Sequence, residues 1–218
     1  MQQIEVLHRI LRHNLRNSCN VVKGHVKLLE DYEMLSDDKK IQIIKENVDS
    51  LIELSEKSRH LRNIVLNGEN AVEPVDLVSL LNNCVESLKE EYPDVEVHQQ
   101  VTGERVVRAH NQIDTAIDEL LENAVKHNDS KNPQIWISVQ SDAEGTIDLD
   151  IADNGSGIPE VEREVVELGE EKPLFHSQGI GLWVVRAAII ESGGELRIID
   201  NEPTGSIVRI TLPKAAPA

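Results

Sequence analysis

The stretch "DELLENAVKHN", residues 118–128, sets a carboxylate at Glu119, an amide at Asn123 and an ammonium at Lys126. On a helix these steps of four and three collect all three groups on one face, leaving Ile117, Leu120, Leu121 and Ala124 for the buried one. An amide oxygen is a hard ligand suited to Mg2+. A carboxylate one turn earlier can orient or deprotonate a water, and a lysine one turn later can meet phosphate. Taken alone, the pattern also fits a solvated helix face.

Two glycine-rich stretches follow. "TIDLDIADNGSGIP", residues 146–159, alternates Ile147, Leu149 and Ile151 toward a core and then breaks. Gly155 and Gly157 permit backbone geometry closed to other residues and close approach of a ligand, and Asp153 at the strand end can accept a hydrogen bond from an adenine amino group. "HSQGIGLWVV", residues 176–185, runs from Gly179 and Gly181 into a helix, whose free N–H groups and dipole favour phosphate.

A fourth stretch lies near the N-terminus. In "LRHNLRNSCN", residues 11–20, His13 projects opposite the helical stripe of Ile4, Leu7, Leu11, Leu15, Val22, Val26 and Leu29. Arg9, Arg16, Asn17 and Asn20 share its side, whereas His8 and His25 fall at the edge of the stripe and read as ordinary helix residues. With a Debye length of about 8 Å in physiological salt, two arginines beside one exposed imidazole dominate the local field. Such a site welcomes a phosphoryl group.

The elements that must position these groups fall into two parts. Residues 2–34 carry helical periodicity, "LSDDKK" supplies a turn with an N-cap at Ser36, and a second helix over 37–66 presents Ile41, Ile44, Val48, Leu51 and Ile52 on one face. A hairpin of two helices cannot cover both stripes alone. A second copy can, which predicts a homodimer through a four-helix bundle, the alternative being that the hairpin packs on the rest of its own chain. "NGENAVEPVD" has the glycine and proline of a linker, placed at 67–75.

From 76 to 213 helices near 77–91, 110–127 and 180–192 mix with strands near 95–101, 105–108, 134–141, 146–152, 195–200 and 206–212, an α/β sandwich with a mixed sheet covered by helices. Residues 214–218, "KAAPA", read as a tail.

Composition narrows the partners. A net charge of −17 and 2% aromatic residues argue against nucleic acid, which needs a basic surface and stacking rings. The same excess of carboxylate is expected of a halophilic protein. Two cysteines far apart, Cys19 and Cys84, suggest a reduced, cytoplasmic protein. The chain has no run of 18 apolar residues, so no direct membrane insertion is expected.

In their order and spacing, the three motifs between 118 and 185 resemble the asparagine box and two glycine boxes of the Bergerat-type ATP-binding fold, shared by gyrase, heat-shock chaperone and histidine kinase ATPases. Phe175, the only phenylalanine, lies where histidine kinases often carry a lid phenylalanine. "RHNLRN" ahead of a helical hairpin resembles their phosphoacceptor box, and the run as a whole is most similar to archaeal two-component sensor histidine kinases.

The resemblance implies residues 1–66 as a dimerisation and histidine phosphotransfer hairpin and 76–213 as the catalytic ATP-binding domain. It implies that ATP phosphorylates His13, that Asn123 ligates Mg2+, and that Asp153 reads adenine. Gly155, Gly157, Gly179 and Gly181 would shape the pocket and lid, Lys126 would approach the phosphates, and an aspartate of a response-regulator receiver domain would take the phosphoryl group.

Departures from the family pattern matter too. Asn14 stands where relatives have Glu or Asp; its carbonyl accepts the imidazole N–H but cannot take a proton. Ser18 replaces a helix-bending proline. Asn17 matches the position that orients water for dephosphorylation of the partner, and Glu119 matches the general base of gyrase-type members. Two alternatives stand beside the kinase: a Bergerat-fold ATPase or serine kinase, and a nucleotide-binding dimeric phosphatase or scaffold without autokinase activity.

Overall fold

Strict alternation of side chains builds the main sheet. In β4 (Gln134–Ser141) Ile135, Ile137 and Val139 are buried, and in β5 (Thr146–Asp153) Ile147, Leu149 and Ile151. β6 (Glu195–Asp200) buries Leu196 and Ile198, and β7 (Ser206–Pro213) buries Ser206, Val208, Ile210 and Leu212. Period-two burial means one covered face, so the register is set by the apolar set. With β2 (Glu96–Gln100) the order is β2-β4-β5-β7-β6; β2 and β4 run parallel and every other pair antiparallel. The sheet is therefore mixed, as expected.

The computed structural model describes residues 19–24, 26, 38–101, 105–141, 145–160, 163 and 180–215. Three helices contribute the other half of the core. α2 (Leu77–Glu91) buries Leu77, Leu81, Cys84, Val85 and Leu88, and α3 (Ile113–Lys126) buries Ile113, Ala116, Ile117, Leu120, Leu121 and Ala124. α4 (Ile180–Glu191) buries residues from Leu182 through Ile189 except Arg186, which is half-buried. Each buried leucine or isoleucine contributes about 1.5–3 kcal/mol relative to exposure. α2 begins cleanly because Asp76 caps it, accepting from the Val78 N–H at 3.1 Å and the Ser79 hydroxyl at 2.6 Å. The Ser79 hydroxyl bond holds its carboxyl below the usual range. Between α2 and α3, burial pushes the Cys84 thiol up, and the Asp118 carboxyl rises for the same reason.

A second, small sheet corrects two expectations. β1 (Val72–Asp76) pairs antiparallel with β3 (Val106–His110), so the stretch assigned to a linker holds a strand. Nor are the last residues simply a tail. Lys214 bridges to Val107, the Lys214 N–H donates to the Gly145 carbonyl at 2.9 Å, and the Ala215 N–H donates to the Val106 carbonyl at 3.0 Å. The continuation of β7 thereby joins the two sheets. At the end of β3, His110 is wholly buried; its N–H donates to Ser192 Oγ at 2.8 Å and its Nδ1 accepts from the Gln112 N–H at 3.1 Å. Burial pushes this imidazole below its ordinary pKa.

The chain divides into two units, with the boundary inside helix α1 (Asp38–Asn67) after Arg62. Residues 19–24 and 26 are also helical, while the turn expected between the two helices and Ser36 lie outside the described residues. α1 begins and ends one residue later than expected. Among its apolar residues Leu54 and Leu61 are buried, whereas Ile41, Val48 and Ile52 are 53%, 40% and 55% exposed. No helix of the described residues is long and apolar enough to cross a membrane.

Candidate nucleotide site

The site is assembled from α3, the end of β5, and the turn between β6 and β7. α3 carries the first motif. Ile117, Leu120, Leu121 and Ala124 are buried as their spacing requires, Asn123 is half-buried, and Lys126 is exposed, its Nζ 2.5 Å from Glu122 Oε2. Glu119 differs from expectation: at 8% exposure it is buried rather than solvated. Burying a carboxylate costs free energy unless it is paired or coordinated, which suits a chemical role more than a solubilising one.

Asp153 closes β5. Its Oδ1 accepts from the Gly155 N–H at 2.8 Å and its Oδ2 from the Ser206 hydroxyl at 2.6 Å, while its carbonyl accepts from Asn201 Nδ2 at 2.7 Å. Two hydrogen bonds to one carboxylate orient it, and each oxygen keeps a lone pair for a further donor. The glycines explain how the turn comes so near. Gly157 has φ +82, and Gly205 has φ +110 with its α-carbon so close to the Asp153 carbonyl that any β-carbon would overlap it. Only glycine fits both demands at 205.

Of the residues expected at the site, Glu119, Asn123, Lys126, Asp153, Gly155, Gly157 and Gly181 are described. Gly181 is buried in the first turn of α4. His13, Asn14, Asn17, Phe175 and Gly179 lie outside the described residues. The structure ties the first glycine turn to the end of α3 through Asn128 and Asn154, with Asn128 Nδ2 donating to Asn154 Oδ1 at 2.9 Å.

Four residues were not anticipated: Asn128, Asn154, Asn201 and Ser206. Only Ser206 left a signal. It occupies the inward register of β7, ahead of Val208, Ile210 and Leu212, and a buried hydroxyl requires a partner. An amide at 123 and a buried carboxylate at 119 are a donor set that suits Mg2+, and an oriented carboxylate beside two glycine turns suits an adenine amino group.

Comparison with known proteins agrees with this chemistry. Residues 108–216 match the family described as "Histidine kinase-, DNA gyrase B-, and HSP90-like ATPase". The sensor histidine kinase CitA of Klebsiella pneumoniae is 32% identical over 109 residues, 48% of this chain and 20% of that protein. The sensor-type histidine kinase PrrB of Mycobacterium tuberculosis is 28% identical over 214 residues, 94% of this chain and 46% of its own length. The chain thus spans less than half of these curated relatives.

The solved ATP-binding domain of PrrB superposes with a TM-score of 0.55 at 26% identity, over 67% of this chain and 99% of that one. The histidine kinase AdeS of Acinetobacter baumannii shares the fold over 94% of this chain and 98% of that one, at 21% identity and a TM-score of 0.70. These relatives are bacterial, and the archaeal placement drawn from the sequence finds no support in them.

Proposed function

The chain belongs to the histidine kinase-, DNA gyrase B- and HSP90-like ATPase family, and from that membership we propose that it is the histidine kinase of a two-component system, phosphorylating its own His13 from Mg·ATP. The observation that carries the nucleotide side is the Asp153 carboxylate, oriented by Ser206 and the Gly155 N–H beside two glycine turns. Similarity to PrrB over nearly the whole chain carries the kinase side.

In this reading Asp153 accepts the adenine amino group, Gly155, Gly157, Gly179 and Gly181 shape the nucleotide pocket and its lid, Phe175 belongs to the lid, and Lys126 meets the triphosphate. Asn123 would hold Mg2+, with Glu119 one turn away; when bound, the ion neutralises charge on the phosphates. His13 attacks through the lone pair of a neutral ring nitrogen. An N–P bond forms as the bond from the γ-phosphorus to its bridging oxygen breaks, and ADP leaves.

Asn14 accepts the N–H of the other ring nitrogen and so holds the ring. The phosphoryl group then passes to an aspartate of a response-regulator receiver domain, and Asn17 orients water for its later removal. The protein works in the cytoplasm as a homodimer. The exposed stripe of Ile41, Val48 and Ile52 on α1 supports the dimer, since three β-branched residues in water have no reason to share one helix face unless something covers them.

The test is to incubate the chain with γ-labelled Mg·ATP beside a His13→Gln variant and an EDTA control, then treat the product with acid and alkali. Label that is acid-labile, alkali-stable and absent from both controls is expected. Acid-stable label would indicate a serine kinase, and no label despite ATP binding would indicate a phosphatase or scaffold, the reading that Asn14 keeps open.

A further inference from the structure

Asn154 lies between the two ends of the nucleotide site and uses every hydrogen-bonding position of its side chain. Its Oδ1 accepts from Asn128 Nδ2 at 2.9 Å and from the Gln134 N–H at 2.9 Å. Its Nδ2 donates to the Asn132 carbonyl at 3.0 Å and the Ser130 hydroxyl at 3.3 Å. An amide side chain offers two acceptor and two donor positions, so nothing is left over. All four partners belong to the segment that leaves α3 and enters β4. That segment is tied to itself as well, with the Ser130 N–H donating to Asn128 Oδ1 at 3.0 Å. It also lies hard against the glycine turn, since a β-carbon on Gly155 would come within 3.2 Å of the Asn128 α-carbon.

Along the chain, α3 reaches Asp153 only through the whole of β4 and β5. Asn154 provides a short route, because it follows Asp153 directly and grips the residues that follow Lys126. We infer that Asn154 is a positioning residue for ATP: it holds the end of α3, with Asn123 and Lys126, at a set distance from Asp153, so that the adenine and triphosphate ends are bound as one ligand. This rests on the reading of the site as a Mg·ATP site. Asn154 itself need touch neither adenine nor phosphate.

The consequence separates two ligands. Adenosine engages only the Asp153 end, whereas Mg·ATP needs both ends at the right spacing. Loosening the clamp therefore costs ATP its advantage over adenosine, whereas a general loss of fold weakens both alike.

The experiment measures binding of Mg·ATP and of adenosine to the full chain by titration calorimetry, with thermal melting to confirm that each variant is folded. Asn154→Asp keeps the shape and the acceptor but removes both donors. It is expected to raise the Kd for Mg·ATP about tenfold, the order expected for losing one or two hydrogen bonds, while adenosine changes by less than about twofold. Asn128→Ala, which removes one bond from the other side, is expected to act in the same direction and more weakly; it carries the test should Asn154→Asp fail to fold. Equal weakening of both ligands in a folded variant overturns the inference, as does no change in either. A wild-type chain that binds neither ligand overturns the Mg·ATP reading itself.

Discussion

Ser206 donates its hydroxyl to Asp153 Oδ2 at 2.6 Å, joining the first residue of β7 to the last of β5. The bond is charge-assisted and half-buried, and it fixes which carboxylate lone pair is left for a further donor. Ser206→Ala removes the donor with little change of volume. We expect a rise of about five- to tenfold in the Kd for Mg·ATP and a change in melting temperature of no more than a few degrees. Asp153→Asn should weaken binding further, because an amide nitrogen repels an adenine amino group. Unchanged affinity in Ser206→Ala would show that Gly155 alone orients the carboxylate.

Gly205→Ala tests the turn that closes over Asp153. The backbone at φ +110 and the overlap with the Asp153 carbonyl act together, and the expected cost is about 3 kcal/mol. For a domain of this size that is a fall of roughly 10 °C in melting temperature. A melting temperature within a degree or two of wild type would mean that the β6–β7 turn readjusts freely.

Asn14→Asp should raise the initial rate of autophosphorylation. An aspartate both holds the imidazole N–H and stabilises positive charge as the ring attacks, whereas Asn14 only holds it. Initial rates from γ-labelled ATP decide the matter, and absence of any gain would show that ring orientation alone is enough.

Buried His110 makes stability depend on pH. Burial lowers its pKa in the fold, so below the ordinary histidine value the unfolded chain binds a proton that the native chain does not. Stability is therefore full above that value and falls as pH drops through it, by up to about 1.4 kcal/mol per pH unit for one group. Asp118 has the opposite sign, since its raised carboxyl gains stability as pH falls. Urea midpoints of wild type and His110→Asn between roughly pH 5 and pH 7 isolate the histidine. The variant should lack the decline, and parallel curves would assign it to other groups.

Salt dependence should belong to one part of the chain. Residues 1–66 carry eleven lysines and arginines against ten acidic residues, and the remainder carries eleven against twenty-nine. Raising KCl screens the repulsion in that remainder. In the full chain, the melting step of the nucleotide-binding part should move up with KCl while any separate helical step stays in place. Unfolding as KCl approaches molar levels would reject adaptation to high salt.

Local patterns made most elements legible in the sequence. The alternation of Ile147, Leu149 and Ile151 and the spacing of α3 depend only on neighbours along the chain, and both elements are where they were expected. β1 was hidden because Pro74, with a glycine and polar residues nearby, looks like a linker. An edge strand tolerates proline, and only pairing with β3 shows it to be one. The burial of Glu119 and the grip of Asn154 come from residues distant in sequence, as does the bond from Ser206 to Asp153. No periodicity encodes such contacts, and the asparagine and glycine motifs therefore pointed to the site without showing what holds it together.

The pairing of Lys214 and Ala215 with Val107 and Val106 also bears on the order of events at the ribosome. β3 is made well before the residues that complete one of its hydrogen-bonding edges. The small sheet therefore stays unfinished until Lys214 and Ala215 have been synthesised, with the β3 edge open to other chains in the meantime. The arrival of that distant segment, rather than any internal turn, is the event that seals this part of the molecule.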